Sequence, residues 1–222
     1  MKAWVLIGGP GAGKGTQAQL LADRLGLSHV ASGDLFRHHM REDTPLGHEA
    51  KRYIMAGSLV PDEVTVRMVD ERLSEPDAAD GVIIDGFPRT RPQAEALDGL
   101  LARRGGRVAG ALYLDVDRET LLRRLSGRWI CDQSEEHLYH ELTMPPAKPG
   151  VCDIDGGSLY QRPDDQPATV RARLDKQLPP MFEVVDYYSE AGLLSTVDGE
   201  LPPEQVTEAL LRIMAGSSVV PR

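Results

Sequence analysis

The stretch Gly8-Gly9-Pro10-Gly11-Ala12-Gly13-Lys14-Gly15-Thr16 lies between an apolar run, Ala3 to Ile7, and a segment with leucines at helical spacing, Gln17 to Gly26. A phosphate-binding loop requires this order of strand, glycine turn and helix. Glycines let backbone N–H groups turn inward around an anion, and the helix adds the positive end of its dipole. Lys14 supplies a charge that can reach the terminal phosphates of a nucleotide. The stretch therefore predicts a phosphate site at residues 11–16.

The stretch departs from the usual phosphate-loop pattern at one position. It fits G-x-x-x-x-G-K, but Gly15 stands where Ser or Thr normally offers a hydroxyl to Mg²⁺, and Thr16 follows one position later. The alternative of a plain flexible turn agrees poorly with the flanking strand and helix. A dinucleotide pattern G-x-G-x-x-G fails, because its last position is Thr16 or Lys14.

Length, charge and hydropathy exclude several classes of protein. The 222 residues suffice for one α/β domain with inserts or for two small domains. The net charge of −9 disfavours nucleic acids as partners, because their phosphates select basic surfaces. No apolar run approaches the roughly 20 residues of a membrane span. The first strand begins at residue 3 and leaves no room for a signal peptide, so we expect a cytoplasmic protein without a membrane partner.

Strand and helix patterns alternate along most of the chain, and either Ser32 or Asp34 is a candidate helix cap. Further strands are predicted at 28–31, 81–85, 108–114 and 194–197. Further helices are predicted at 45–56, 61–74, 92–104, 117–126, 169–188 and 203–215, with a kink or break at Pro179-Pro180. The alternation predicts an α/β fold with a doubly wound parallel sheet of about five strands, which binds ligands at the carboxyl ends of its strands.

Two segments interrupt the alternation and are interpreted as inserts in a single domain. Residues 31–67 predict a small helical insert. Residues 128–165 are rich in proline and glycine, contain both cysteines and predict a second insert with little apolar core. The core then consists of residues 1–30, 68–127 and 166–222.

A second informative stretch is Asp85-Gly86-Phe87-Pro88-Arg89-Thr90-Arg91-Pro92-Gln93. An aspartate at a strand end beside a phosphate loop is suited to holding the water shell of Mg²⁺. Arg89 follows in a turn stiffened by glycine and proline, which fixes the direction of its planar guanidinium. We therefore expect Asp85 to serve the metal and Arg89 to bind phosphate.

Three motifs, in this order, resemble those of the adenylate kinase family: the glycine stretch, Ser32-Gly33-Asp34-Leu35-Phe36-Arg37, and Asp85 to Thr90. The resemblance covers nearly the whole chain. It implies Mg²⁺-dependent transfer of the terminal phosphoryl group of ATP to AMP, giving two ADP, by a monomer. The helical insert resembles the AMP-binding arm of the family, and the second insert resembles its long form of lid over ATP.

The resemblance assigns roles to single residues, because two bound nucleotides need many converging cations. The cations expected to be catalytic are Lys14, Arg89, Arg124, Arg128, Arg162 and Arg173. ATP is expected on loop 11–16 and on Arg128, Leu138, Tyr139 and Leu201. AMP is expected on Ser32, Arg37, Ser58, Leu59, Val60, Gly86, Phe87, Pro88, Arg89, Gln93, Arg162 and Arg173. The Gln93 amide would pair with adenine, and Asp164 and Asp165 either orient arginines or merely begin a helix.

The second insert carries a candidate zinc site of Cys131, His137, Cys152 and Asp155. Some lids of the family hold zinc on four cysteines and others use a polar network. This sequence departs from both, since Ser134 stands at the second cysteine position and Asp155 at the fourth. All four side chains are competent Zn²⁺ ligands, and a small insert without an apolar core needs a staple. We expect structural zinc; the alternative is a hydrogen-bonded set including Ser134.

Other functions remain possible on the sequence alone. A kinase for UMP, CMP or GMP is disfavoured by Gln93. An AMP kinase that prefers GTP stays open, because lid contacts to the base are largely made by backbone. A nucleotide-binding scaffold or zinc-ribbon module without catalysis is disfavoured by the arginine set and by Asp85.

Overall fold

The computed structural model describes residues 1–134 and 137–216. The strands are β1 (Lys2–Ile7), β2 (Ser28–Ala31), β3 (Val82–Asp85), β4 (Arg107–Asp115), β5 (Arg128–Cys131), β6 (Leu138–His140), β7 (Leu159–Tyr160) and β8 (Leu194–Asp198). The helices are α1 (Lys14–Leu25), α2 (Ser32–Arg41), α3 (Pro45–Met55), α4 (Asp62–Arg72), α5 (Arg91–Arg103), α6 (Arg118–Ser126), α7 (Pro167–Glu190) and α8 (Pro203–Met214).

Five parallel strands form the central sheet in the order β2-β3-β1-β4-β8, which confirms the predicted doubly wound fold. After β1 the chain adds β2 and β3 toward one edge of the sheet, and then β4 and β8 toward the other edge. Asp85 lies opposite Leu6 of β1 and opposite Ala31 of β2. The carboxyl ends of these three strands therefore meet at the point where strand order reverses, which is where such sheets bind ligands.

Helices cover both faces of the sheet, so its strands can be apolar along their whole length. Val5 and Ile7 of β1 belong to one buried layer together with Leu97 of α5 and Val184 of α7. Leu6 points to the opposite layer, which contains residues of α1, α6 and α8. The continuous apolar run of β1 follows from this burial on two sides.

Helices α2, α3 and the first half of α4 lie within residues 31–67 and enclose a small apolar cluster of their own. Phe36, Ala50, Val60 and Met68 are buried together there. The next residue of α4, Val69, belongs to the main core, so this helix joins the insert to the sheet. The division of the chain into a core and two inserts stays a prediction.

The second insert contains a three-stranded antiparallel sheet in the order β6-β5-β7, which the sequence did not predict. Its strands are two to four residues long, too short for an alternating pattern to emerge. A single 3₁₀ turn, Pro163–Asp165, connects this sheet to α7.

The predicted caps of α2 were wrong, and of the predicted kink or break in α7 the break is absent. Neither Ser32 nor Asp34 caps α2, because Ala31 occupies the cap position and the Ser32 hydroxyl donates to the carbonyl oxygen of Gly86 instead. Helix α7 is not broken at Pro179-Pro180 and continues through both prolines. Over the residues that the structure describes, no helix has both the length and the apolar character needed to cross a membrane.

Candidate active site

The glycine loop between β1 and α1 is shaped by tight packing and by left-handed backbone geometry. Gly13 is the N-cap of α1 with φ of 95°, a conformation that favours glycine. A Cβ on Gly9 would lie 2.5 Å from Cδ1 of Leu121, so α6 leaves no room for a side chain there. Helix α1 begins at the carboxyl edge of the sheet. The first N–H groups of a helix have no partner within the helix, so this end is suited to bind an anion.

Lys14 is folded back onto its own loop. Its Nζ donates to the carbonyl oxygens of Gly8, at 2.9 Å, and Gly9, at 3.0 Å. Burial lowers the pKa of Lys14 to about 8; Asp85 raises it in part, and the charges of three arginines lower it further. Those three cations are Arg89, Arg128 and Arg173. The structure therefore brings four of the six predicted catalytic cations into one electrostatic neighbourhood.

One oxygen of the Asp85 carboxylate is available to accept a hydrogen bond. Oδ1 of Asp85 is buried without a hydrogen-bond partner among the described residues. Its Oδ2 lies 3.4 Å from the position that a Cβ on Gly15 would occupy. Buried carboxylate oxygens normally have partners, so this one is suited to accept from ordered water around a cation.

Arg89 is held by neutral oxygens. Its Nε donates to the carbonyl of Gly86 at 2.6 Å, and its Nη1 donates to Oε1 of Gln177 at 3.2 Å. The Ser32 hydroxyl donates to the same Gly86 carbonyl at 2.6 Å. Burial and the charge of Arg173 lower the pKa of Arg89, because both disfavour a further positive charge.

Arg128 and Arg173 are instead held by carboxylates. Arg128 donates through Nε and Nη2 to both oxygens of Asp165, each at 2.8 Å. Arg173 Nη1 lies 3.2 Å from Oδ1 of Asp165 and 3.0 Å from Oδ2 of Asp164. Asp165 is fully buried. The predicted contact between these aspartates and the arginines is confirmed.

Arg37, Arg124 and Arg162 are the remaining predicted cations, and the charge of Arg37 also lowers the pKa of Arg89. Arg124 donates to the carbonyl of Gly199 at 3.0 Å, beside the end of β8 and the segment that carries Leu201. Arg37 pairs with Asp34 on α2. Arg162 is the N-cap of the Pro163–Asp165 turn.

Gln93 is buried, and both ends of its amide are already used. Oε1 accepts from the backbone N–H of Arg89 at 2.8 Å, and Nε2 donates to Oδ1 of Asp62 at 2.7 Å. Asp62 also accepts from the Thr90 hydroxyl at 3.0 Å. Pairing of Gln93 with adenine would use the second N–H of Nε2 and the second lone pair of Oε1, or an exchange of these bonds. Sequence analysis missed Asp62, whose only signal is its place in the first turn of α4.

Burial leaves some of the other predicted nucleotide contacts to the backbone alone. The side chains of Phe87, Pro88 and Val60 are buried. The Tyr139 hydroxyl points into the second insert, where it accepts from the backbone N–H of Asp153 at 2.7 Å. Leu59 and Leu138 are only partly buried, whereas Leu201 is exposed.

Helix α7 supplies two contacts that sequence analysis missed. Lys176 Nζ donates to the carbonyl of Ala56 and to the hydroxyl of Ser58, both at 3.0 Å. Gln177 Nε2 donates to the carbonyl of Gly57 at 3.0 Å. Gln177 follows Arg173 by four residues and so lies on the same helix face; this spacing was the available signal.

The four predicted metal ligands of the second insert lie together. One ligand atom from each of Cys131, His137, Cys152 and Asp155 lies within 4.8 Å of all the others. His137 Nδ1 is 2.8 Å from Oδ2 of Asp155 and 3.5 Å from Sγ of Cys152. Ligand atoms around tetrahedral zinc are about 3.3–3.8 Å apart, given its usual bond lengths. The four ligand atoms are close enough together to hold one small metal ion, although their separations range more widely than that.

Hydrogen bonds and burial shift the pKa values of these ligands in different directions. The backbone N–H of Gly157, followed by Cys152, holds the pKa of Asp155 well below its usual range. Burial raises the pKa of Cys131. At Cys152, burial opposes ionisation, but hydrogen bonds led by the Tyr139 hydroxyl outweigh it and lower the pKa. Asp155 and Cys152 thus favour the ionised forms that bind metals.

Comparisons with known proteins agree with this geometry. The family model described as adenylate kinase matches residues 6–193. A protein named adenylate kinase from Streptomyces coelicolor is 45% identical over 210 residues, covering 95% of this chain and 97% of that protein. Those from Acidothermus cellulolyticus and Listeria innocua are 49% and 44% identical, covering 91% and 95% of this chain and 93% and 98% of theirs.

Proposed function

This chain belongs to the adenylate kinase family and is a phosphotransferase, and we propose how its residues carry out the reversible transfer between ATP and AMP. The convergence of Lys14, Arg89, Arg128 and Arg173 beside Asp85 is the observation that carries this assignment. Phosphoryl transfer needs donor and acceptor in line and the developing charge neutralised. A cluster of cations at a strand-end crevice meets both needs.

On the donor side, ATP lies on loop 11–16 with its terminal phosphates at the amino end of α1. Lys14 exchanges the carbonyls of Gly8 and Gly9 for phosphate oxygens. Arg128 and Arg173 exchange Asp165 in the same way, joined by Arg124 and Arg162. Arg162 and Arg173 also serve the acceptor side, where they meet the phosphate of AMP. The base meets the backbone near Leu138, Tyr139 and Leu201.

The open oxygen of Asp85 would hold Mg²⁺ through its water shell, since no side chain at Gly15 obstructs that approach. When bound with ATP, Mg²⁺ neutralises charge on the phosphates. Asp85 itself orients the ordered waters and offsets the repulsion among the cations around it.

On the acceptor side, Arg89 and Arg37 receive the phosphate of AMP, with Ser32 beside them. The turn Ser58, Leu59 and Val60 lines the adenine, and Gln93 reads its edge after release from Asp62. Enclosure by both inserts excludes water, which would otherwise accept the phosphoryl group.

We also propose that the lid holds a structural zinc ion. Two cysteines, one histidine and one aspartate within 4.8 Å of one another support it. The test is metal analysis of protein purified without added zinc. About one zinc per chain supports the site. Absence of metal, with a lid whose proteolysis is unchanged by chelator, leaves the hydrogen-bonded alternative.

A coupled assay with ATP and each nucleoside monophosphate tests the activity. We expect AMP to be strongly preferred over UMP, CMP and GMP, and Lys14→Met to abolish the signal. Replacing ATP by GTP tests the remaining alternative for the donor. A monomer in the cytoplasm, without nucleic-acid or membrane partners, stays a prediction, and light scattering measures the first of these properties.

A further inference from the structure

Gln177 of α7 joins three parts of the chain that are distant in sequence. Its Oε1 accepts from Nη1 of Arg89 at 3.2 Å, and its Nε2 donates to the carbonyl of Gly57 at 3.0 Å. The side chain is 7% exposed, so water cannot easily replace either bond. One amide therefore links the acceptor arginine, the turn after α3 and the helix that carries Arg173.

The turn at Gly57 fits closely against α7 at this point. Gly57 has φ of 66°, and a Cβ there would lie 2.8 Å from Cγ of Arg173. Lys176, the neighbour of Gln177, holds the carbonyl of Ala56 and the hydroxyl of Ser58. Gln177 supplies the buried bond of this contact and is the only one of the two residues that also reaches Arg89.

The chemistry of the amide suits an arginine that must keep its charge. A carboxylate at this position would form an ion pair with Arg89 and compete with an incoming phosphate. The amide oxygen satisfies one N–H of the guanidinium without neutralising it, and the amide N–H satisfies a carbonyl that a carboxylate would repel. A glutamine thus fixes the orientation of the Arg89 guanidinium without neutralising its positive charge.

We propose that Gln177 is a positioning residue that sets the orientation of Arg89 and ties it to the turn 56–58, so that the acceptor phosphate and the acceptor base are bound in register. This inference rests on the proposed function, because it assigns AMP to Arg89 and to that turn. It predicts a change in KM for AMP rather than in KM for ATP, since the Gln177 amide bonds to Arg89 and to the carbonyl of Gly57, both on the acceptor side.

The test compares Gln177→Leu with Gln177→Glu in steady-state kinetics. For Gln177→Leu we expect kcat/KM for AMP to fall about tenfold, the factor expected for losing one hydrogen bond to a charged group, with KM for ATP within twofold of the wild type. For Gln177→Glu, of nearly the same shape, we expect a fall at least tenfold larger, because the new charge pairs with Arg89.

Gln17→Leu is the matched control. Gln17 is another buried helical glutamine, with Nε2 donating to the carbonyl of Pro203 at 3.0 Å and Oε1 accepting from Thr207 at 2.7 Å. It should lose similar stability without a change in KM for AMP. Unchanged kcat/KM for AMP in a folded Gln177→Glu, or a rise in KM for ATP as large as the rise in KM for AMP, overturns the inference. A wild-type chain that fails to phosphorylate AMP overturns the proposed function instead.

Discussion

The donor side of the cleft and the acceptor turn, residues 86–93, hold their cations by different means. On the donor side, Arg128 and Arg173 rest on the buried carboxylate of Asp165. In the acceptor turn, Arg89 rests on two neutral oxygens, from Gly86 and Gln177. A donor arginine must leave a carboxylate before it binds phosphate, whereas Arg89 keeps an unneutralised charge in place.

The difference follows from where each arginine sits. Arg128 begins β5 of the second insert, for which we propose the role of a lid that moves to admit ATP. An arginine that travels with a lid keeps its charge at low cost only if a carboxylate accompanies it. Arg89 lies in a turn fixed to the main sheet, where a rigid neutral frame is sufficient. Arg128 and Arg173 are thus held in ion pairs with Asp165, whereas the hydrogen bonds of Arg89 go to neutral oxygens.

The largest expected effect separates the two sides by substrate. Lys14→Met and Arg89→Ala should each lower kcat by about 10³-fold, because each removes a cation aimed at the transferring phosphoryl group. KM should rise for ATP in the first variant and for AMP in the second. Steady-state kinetics with each substrate varied in turn measures this, with thermal unfolding as the control for folding. Near-normal turnover in either variant contradicts the assigned role.

The next effect concerns what holds each insert together. The lid encloses Cys131, Tyr139, Cys152 and Leu159, whereas the helical insert encloses aliphatic and aromatic side chains. Cys152→Ser should release the lid metal, lower Tm by about 10 °C and raise KM for ATP more than KM for AMP. Calorimetry with and without chelator measures the change in Tm.

The matched variant in the helical insert is Met68→Ala. It should cost about 2–5 kcal/mol through the cavity it leaves, and chelator should not alter that cost. A wild-type lid that melts identically with and without chelator would show that the four ligands act only as a hydrogen-bonded cluster.

The sequence predicted the sheet because its evidence is local and repeated. A strand, a glycine loop and a helix follow one another without a gap at residues 3–26, and burial on both faces imposes an apolar run that is easily recognised. The lid sheet has strands of two to four residues, and such lengths carry no periodicity. Its fold depends on pairing between segments, which no local pattern records.

The site was predicted where one motif contains it and missed where partners are distant. Asp85 and Arg89 share a single stretch of sequence. Asp62 and Gln177 act on that stretch from 31 and 88 positions away from Gln93 and Arg89, respectively. Neither belongs to a recognisable motif, and their local signals, a helix start for Asp62 and the spacing from Arg173 for Gln177, do not identify their partners. The same distance explains why Ser32 was misjudged as a cap, since its true acceptor, Gly86, lies 54 positions along the chain.

A smaller effect tests the ion pairs that Asp165 makes with Arg128 and Arg173. Asp165→Asn removes the shared carboxylate of Arg128 and Arg173, and breaking a buried pair from one side should cost about 3 kcal/mol, or about 6–12 °C in Tm. KM for AMP should rise less than in Arg89→Ala, because Arg89 keeps its bonds to Gly86 and Gln177 although Arg173 loses a partner. Thermal unfolding and kinetics on the same preparation measure both. Loss of AMP binding equal to that of Arg89→Ala would show that the two sides are not separate.

The smallest effect uses pH to distinguish the sides without a mutation. Burial lowers the pKa of Lys14 from 10.5 to about 8, so the free enzyme loses this charge above pH 8. With AMP saturating, kcat/KM for ATP should fall about tenfold per pH unit above 8, because kcat/KM reports ionisation in the free enzyme. With ATP saturating, kcat/KM for AMP should stay flat to pH 9, because bound phosphates keep Lys14 protonated and Arg89 remains charged.

The contribution of Lys14 to stability should have the opposite sign, which separates this loss from unfolding. Between pH 8 and 10.5 the unfolded chain keeps the Lys14 proton while the folded chain has released it. Folding therefore gains free energy from this group as pH rises through that window, while ATP binding weakens. Lys14→Arg, which stays charged, should show neither trend. A decline in kcat/KM for ATP that persists in Lys14→Arg, or that appears equally for AMP, would assign the titration to another group and remove the contrast between the two sides.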